Sequence, residues 1–317
     1  LQILFRGFLW RTFSDSFKFM NGSIEQIAII GAGKVGTAMA YLLQKAGYGV
    51  AAVSDRNPSA LVDILSYTSA QPCSSPEEAA RKADFILITT PDDEIAGTCR
   101  TLSDSGAILP GNKVVHMSGA GGLDLLESAR RSGALVASIH PIQSFADIGG
   151  AIENLPGSAF GVTAQEELVG WAEKLVRDLG GKPFLVREAD KPLYHAAACM
   201  ASNYLTTLLH TVETIYASFG LTREQSIEAF WPLVLGTIRN IERQGTVSAL
   251  TGPIARGDTG TVQKHLDAFY LKLPHFLRIY QEMGVLTVEL GVEKGSLSTE
   301  RAEALKNLLR GVDTDQM

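Results

Sequence analysis

From Ile24 to about Arg187, short apolar runs alternate with amphipathic stretches. Ile27-Ala28-Ile29-Ile30 reads as a buried strand, Thr37 to Ala46 as a helix and Gly49 to Ser54 as a second strand. Ala60 to Tyr67 reads as a short helix, and Phe85 to Thr89 as a strong strand before a turn at Pro91. Lys113 to Met117, Leu135 to Ile139, Ala159 to Thr163 and Phe184 to Val186 are further strand candidates. Glu166 to Leu179 predicts a helix closed by Gly180-Gly181, since glycine readily adopts the left-handed cap. Strands alternating with helices imply βαβ units, mostly parallel strands and a doubly wound α/β sheet.

After about Ala189 the period changes from 2 to 3.6. Tyr194 to Phe219 predicts a helix ending at Gly220. Arg223 to Arg243 predicts another, with Thr222 as N-cap and with a kink or break at Pro232. Thr261 to Tyr270, Leu273 to Leu290 and Thr299 to Leu309 complete the helical half, the last capped by Ser298-Thr299. The expected organisation is a tail at 1–22, a Rossmann domain at 23–188 and an all-α domain at 189–317.

The tail differs in texture from the rest. It holds Phe5, Phe8, Trp10, Phe13, Phe17 and Phe19, with Arg6, Arg11 and Lys18 among them. Arg6 and Arg11 interrupt the apolar stretch that a secretory signal needs. We read it as upstream or vector-derived sequence with Met20 as the natural start; a membrane-surface helix is the alternative.

Charge and cysteine usage narrow the partners. The net charge is −6 and no long basic run occurs, which argues against a nucleic-acid partner. No segment offers the ~18 uninterrupted apolar residues of a transmembrane helix, so no membrane partner is expected. Cys73, Cys99 and Cys199 lie far apart, which argues against a disulfide framework or a metal site and suits a reducing, cytoplasmic setting. Glycine is in excess, at 31 of 317 residues, so tight turns and close backbone approaches are expected.

Gly31-Ala32-Gly33-Lys34-Val35-Gly36 is a GxGxxG loop that follows an apolar strand and opens a helix. Asp55 ends the next strand, 24 residues after Gly31. That context is the dinucleotide fingerprint. Gly31 permits the tight turn, Gly33 lets backbone approach a pyrophosphate, and Gly36 allows helix and strand to pack closely. The helix start offers N–H groups to the phosphates. The cofactor expected is therefore NAD(P). Asp55 would take the ribose hydroxyls, which favours NAD. Arg56 could pair with a 2′-phosphate or stack on adenine, and Ser54 could add a hydroxyl. Thr89, Thr90 and Pro91 end a later strand at the same sheet edge and should line the nicotinamide side. Asp92, Asp93 and Glu94 read as turn or helix-start acids.

Two further strands end in polar sets. After His116-Met117 come Ser118 and Gly119, which with the following amides could hold a substrate carboxylate. His140-Pro141-Ile142-Gln143-Ser144-Phe145 offers His140 as a donor to a carbonyl or imine nitrogen, or as an anchor for loop backbone. For His116 the anchoring role is the expectation. In the helical half, Lys191, His195 and Cys199 share a face at i, i+4, i+8 if the helix begins near Lys191, with Pro192 in its first turn and Asn203 continuing nearby. His195, Lys191, Asn203 and His140 are the catalytic candidates, against a reading in which this face packs in a seam. Arg256, in Thr251-Gly252-Pro253-Ile254-Ala255-Arg256-Gly257-Asp258, could clamp a substrate carboxylate, or pair with Asp258 or a neighbouring subunit. Asp258 itself reads as a helix N-cap.

These motifs together resemble an uncharacterised bacterial family that joins a Rossmann-like NAD(P) domain to a C-terminal helical domain of unknown function. The matching pieces are Gly31 to Gly36, His116 to Gly119, His140 to Phe145, Tyr194 to Ala197 with Asn203-Tyr204, and Thr251 to Asp258. That family is similar to pyrroline-5-carboxylate reductase and to the β-hydroxyacid dehydrogenases, within a 6-phosphogluconate dehydrogenase-like superfamily. The resemblance implies a homodimer formed through the helical domain and tilts the cofactor towards NADP. β-Hydroxyacid dehydrogenases carry a helix-borne Lys with Asn four residues on; here the partner of Lys191 is His195. The expected function is an NAD(P)-dependent oxidoreductase that moves hydride to or from a small carbonyl, imine or hydroxy compound, a carboxylate by preference. The alternative is a nicotinamide-dependent sensor without turnover.

Overall fold

A computed structural model describes residues 24–311. The tail at 1–22 lies outside the described residues. The first half runs β1 (Gln26–Ile30), α1 (Lys34–Lys45), β2 (Gly49–Ser54), α2 (Pro58–Tyr67), β3 (Gln71–Pro72), α3 (Pro76–Ala80), β4 (Phe85–Ile88) and α4 (Asp92–Asp104). It continues β5 (Lys113–His116), α5 (Glu127–Arg131), β6 (Leu135–Pro141), α6 (Ile148–Asn154), β7 (Ala159–Ala164), α7 (Val169–Asp178), β8 (Lys182–Leu185) and α8 (Lys191–Cys199). A π-helical turn at Met200–Tyr204 leads to α9 (Leu205–Ala217), α10 (Arg223–Ala249), α11 (Thr259–Lys272), α12 (Pro274–Glu293) and α13 (Thr299–Arg310).

The strands form one sheet in the order β3-β2-β1-β4-β5-β6-β7-β8. Neighbours pair in parallel except β6 with β7, which is antiparallel. Both faces are covered, and the strands show why. Ile27 and Ile29, Phe85 and Leu87, and Ala137 and Ile139 pack into one apolar cluster. Ala28 and Ile30, Ile86 and Ile88, and Val136 pack into another on the opposite face. A strand buried on both sides needs the continuous apolar runs seen in the sequence. The order reverses between β1 and β4, which makes that gap the topological switch point. Paired register then aligns Ser54, Ile30, Ile88, His116 and Ser138 in one row across the sheet. The loops at the carboxyl ends of these strands therefore leave from a common edge.

The chain divides into two compact units, one reaching Ser202 and one from Asn203. In the second unit Ile254, Val262, Leu266, Val288, Leu305 and Leu309 form the apolar core. Thr222 caps α10 with a reciprocal bond to Gln225, and Asp258 and Ser298 cap α11 and α13.

Three elements differ from the sequence expectation. The helix expected from Tyr194 begins at Lys191 and is not uniform, because the π turn inserts a wider loop between α8 and α9. α10 runs through Pro232 without a break; its backbone leaves helical geometry at Gly245 (φ 78°, ψ 166°), two residues past the expected end at Arg243. α4 is an added helix that places Ile95, Cys99 and Leu102 on one buried face. No helix among the described residues is long and apolar enough to cross a membrane.

Candidate functional site

The glycine loop does what its spacing requires. Gly31 has φ of 106°, and a Cβ there would lie 2.8 Å from the Thr89 carbonyl carbon. The turn thus passes directly against the end of β4. A Cβ on Gly36 would overlap the Gly31 carbonyl oxygen, so α1 can approach β1 only with glycine there. Gly33 is different: nothing lies within 4 Å of its missing Cβ. Its bare backbone faces open space at the start of α1. Thr89 ties the two loops together through its Oγ1, which donates to the Gly31 carbonyl at 2.6 Å.

These loops border a cavity of about 340 Å³ lined by Gly31, Gly33, Ser54, Asp55, Arg56, Thr89, Thr90, Pro91 and Glu94. Asp55 is held by two backbone amides, from Ala32 at 2.6 Å and Asn57 at 2.7 Å. Arg56 donates to both carboxylate oxygens of Glu94, at 2.6 and 2.7 Å. Thr90 Oγ1 is buried and has no hydrogen-bond partner among the described residues. A glycine cradle that a side chain would fill, an acid at the end of β2 and an unsatisfied hydroxyl on the cavity wall together fit a dinucleotide. Ala32 and Lys34 face a second cavity across the loop, beside Asn57 and Asp147. Val35 lies in the first turn of α1 and packs against the core.

A polar network lies at the ends of β5 and β6. His116 is fully buried. Its Nδ1 accepts the Ser118 amide at 3.1 Å, so its Nε2–H is left to donate to the Gly122 carbonyl at 3.0 Å. Burial drives its pKa down to about 4, which keeps the ring neutral in this anchoring role. Ser118 Oγ donates to Asp92 at 2.6 Å and accepts the Gly121 amide at 2.9 Å. Its hydroxyl proton and one following amide are thus already engaged. Glu188 accepts the Leu123 amide at 2.8 Å and closes the far side of this loop.

Lys191 is 1% exposed, an unusual state for an ammonium. Its Nζ donates to Ser138 Oγ at 2.8 Å and to the Ser118 carbonyl at 3.2 Å. Burial lowers its pKa to about 8, against the pull of Asp92 and Glu188. The side chain therefore staples the ends of β5 and β6.

His140 and His195 face the loop from the other side. The His140 Nδ1 lies 2.7 Å from the Tyr194 hydroxyl. Its ring meets that of His195 edge to face, 5.6 Å between centroids. A Cβ on Gly119 would lie 2.8 Å from His140 Nε2 and closer still to His195 Cδ2, so the Gly119 backbone sits against both rings. Burial, then the nearby His195 and Lys191, bring the His140 pKa down to about 4. Tyr194 is itself raised to about 12 by burial. Cys199 Sγ lies 3.9 Å from His195 Nδ1, as the i, i+4 spacing predicts.

Asn203 and Arg256 belong to the second compact unit. Asn203 is in the π turn, where its carbonyl accepts from Thr207 Oγ1 at 3.1 Å. Arg256 ends a short turn whose carbonyl accepts from Arg301 at 3.4 Å. Asp258 accepts the Thr261 amide at 2.9 Å, and this bond holds its carboxyl below the usual range.

Asp92, Glu94, Ser138, Glu188 and Tyr194 join the site without being marked by any motif as site residues. Ser138 carried a usable signal, a polar residue inside an otherwise apolar strand. Tyr194 lies three residues after Lys191, hence on the same helix face. Asp92 and Glu94 carried none, because helix-start acids are common for electrostatic reasons alone.

Residues 17–141 match the model of a Rossmann-like domain, and residues 158–287 match that of a domain of unknown function, DUF2520. The chain carries a Rossmann-like domain followed by a DUF2520 domain. The second match starts beside β7, where the strand direction reverses. A protein of Thermotoga maritima is similar at 23% identity and a TM-score of 0.68, over 85% of this chain and 99% of that one. Pyrroline carboxylate reductase of Plasmodium falciparum, solved with NADP bound, is similar at 14% identity and a TM-score of 0.57, over 90% and 98%. An imine reductase from a Pseudomonas species is similar at 17% identity and a TM-score of 0.55, over 93% and 96%. At these identities the likeness is one of fold. No curated protein matches.

Proposed function

We propose that the protein is an NAD(P)-dependent oxidoreductase that moves hydride to or from a small carbonyl, imine or hydroxy compound. One observation carries this reading. The dinucleotide loops and the histidine-bearing strand ends leave the same edge of the sheet, on adjacent strands. In open α/β sheets that edge is where ligands bind. The similar structures include proteins described as pyrroline carboxylate reductase and imine reductase, which supports the reaction class.

Gly31, Gly33 and Gly36 with the start of α1 would hold the pyrophosphate, and Asp55 the ribose. Thr89, Thr90 and Pro91 would line the nicotinamide side. A bound nicotinamide would supply or accept the hydride. His195 and His140 are the proposed proton-handling pair, because both rings border the Gly119 backbone at the strand-end edge. Tyr194 orients His140 by engaging Nδ1. Lys191 acts by positioning β5 and β6, since its ammonium is buried and both of its recorded bonds go to protein. Ser118 binds substrate only if it gives up Asp92. Asn203 and Arg256 are the substrate-orienting candidates of the helical half. The cofactor is NAD(P), with NADP favoured by resemblance. The protein is further proposed to be cytoplasmic, in keeping with its free cysteines. It is proposed to be a homodimer through residues 189–317, where Trp231, Leu233, Ile238, Met283 and Leu286 leave apolar surface exposed.

The test is a reduced-cofactor oxidation screen over aldehydes, keto acids and cyclic imines, run with NADH and NADPH separately. Cofactor binding with substrate-dependent oxidation is expected. Cofactor binding without oxidation of either nucleotide by any class would favour the sensor reading, which the engaged state of Ser118 and Lys191 supports.

A further inference from the structure

We infer that Glu94 sets how strongly this site discriminates between phosphorylated and unphosphorylated dinucleotides, by competing with a ribose 2′-phosphate for Arg56. The inference rests on the dinucleotide reading of the cavity.

Arg56 directly follows Asp55 at the end of β2, where an arginine can accommodate a 2′-phosphate. Its guanidinium has a partner already. The same nitrogen donates to both oxygens of Glu94, a residue 38 positions away in the first turn of α4. Both residues line the cavity, so this bond links the loop after β2 to the first turn of α4 on the cavity wall. Asp55 beside them is held in place by the Ala32 and Asn57 amides. Around the ribose end, one cation thus stands with two carboxylates. A 2′-phosphate that approaches Arg56 must either displace Glu94 or sit beside its negative charge. Both routes cost affinity by like-charge repulsion or by loss of a charge-assisted pair. An unphosphorylated ribose meets neither cost.

The pair is suited to mutation. The side chains are 82% and 35% exposed, so their bond contributes little to folding stability. The full chain and its Glu94→Gln, Arg56→Ala and doubly substituted forms would be titrated with NADPH and NADH, read by nicotinamide fluorescence. Glu94→Gln is expected to tighten NADPH roughly three- to tenfold and to shift NADH by less than about twofold. The NADPH gain should vanish when Arg56 is alanine. Nucleotide binding with an unchanged NADPH-to-NADH ratio in Glu94→Gln overturns this inference alone, as does an equal gain without Arg56. Binding of neither nucleotide by the unsubstituted protein overturns the cavity reading, and this inference with it.

Discussion

His140 and His195 come from a strand end and a helix 55 residues apart, yet their rings meet at 75° with centroids 5.6 Å apart. The Gly119 backbone packs against both. Any side chain at position 119 must push at least one ring away. We expect Gly119→Ala to lower turnover by about tenfold or more, because small misplacements at a reacting centre are costly. Nucleotide affinity should stay near the unsubstituted value. His195→Ala should cost about a hundredfold in kcat if the ring moves the proton. Full turnover in His195→Ala with intact nucleotide binding would remove His195 from the mechanism.

The glycine loop separates folding from binding. Gly33→Ala meets no atom within 4 Å, so the variant should unfold at nearly the same temperature. Its methyl would occupy the space offered to a pyrophosphate, and NAD(P)H affinity should fall about tenfold or more. Gly36→Ala puts its methyl into the Gly31 carbonyl, so it should lower the melting temperature as well. Equal melting temperatures for the two variants would contradict the packing described.

His116 should make the fold acid-sensitive. The native ring titrates near pH 4 and the unfolded one near 6.5. Between those values the unfolded chain binds more protons, so stability falls as pH falls from 6.5 to 4. The loss is about 3 kcal/mol for this group. His140 shifts in the same direction and adds to it. Urea unfolding of the protein and of His116→Asn across that range should show a shallower pH slope for the variant. Identical slopes would mean that His116 is protonated or exposed in solution.

Lys191 predicts a slope in the alkaline range. Its native pKa is about 8, against about 10.5 in the unfolded chain. Between them the unfolded chain again holds the extra proton, so this group's contribution makes stability rise with pH, as the cost of the buried charge is relieved. Lys191→Met lacks this term. Its stability relative to the unsubstituted protein should decline by up to about 3 kcal/mol from pH 8 to 10.5. A constant difference would show that the amine is not buried as a charge.

Much of the first unit was legible because its chemistry is local. β1, β2 and β4 are uninterrupted apolar runs, and GxGxxG is a local backbone requirement. α4 escaped because a polar helix start masks the spaced triplet Ile95, Cys99 and Leu102. Of the kink or break expected at Pro232, the break is absent, since one lost backbone bond does not end a helix, whereas Gly245 leaves helical geometry altogether. The bonding partners of Lys191 and Ser118 were not legible either. Their spacing suggested groups offered to a substrate, and the packing gives both of them protein partners.

The sequence by itself determined the doubly wound sheet, the tight glycine loop and the change to helix near residue 190, since each follows from the period of apolar positions or from backbone conformations that glycine permits. Tertiary structure alone decided which polar groups meet. Asp92 and Ser118 are 26 residues apart, His140 and Tyr194 are 54 apart, and Lys191 reaches Ser118 across 73. No local pattern encodes such pairs. They follow from strand order and register, which bring the ends of β4, β5 and β6 to one edge and close α8 over them.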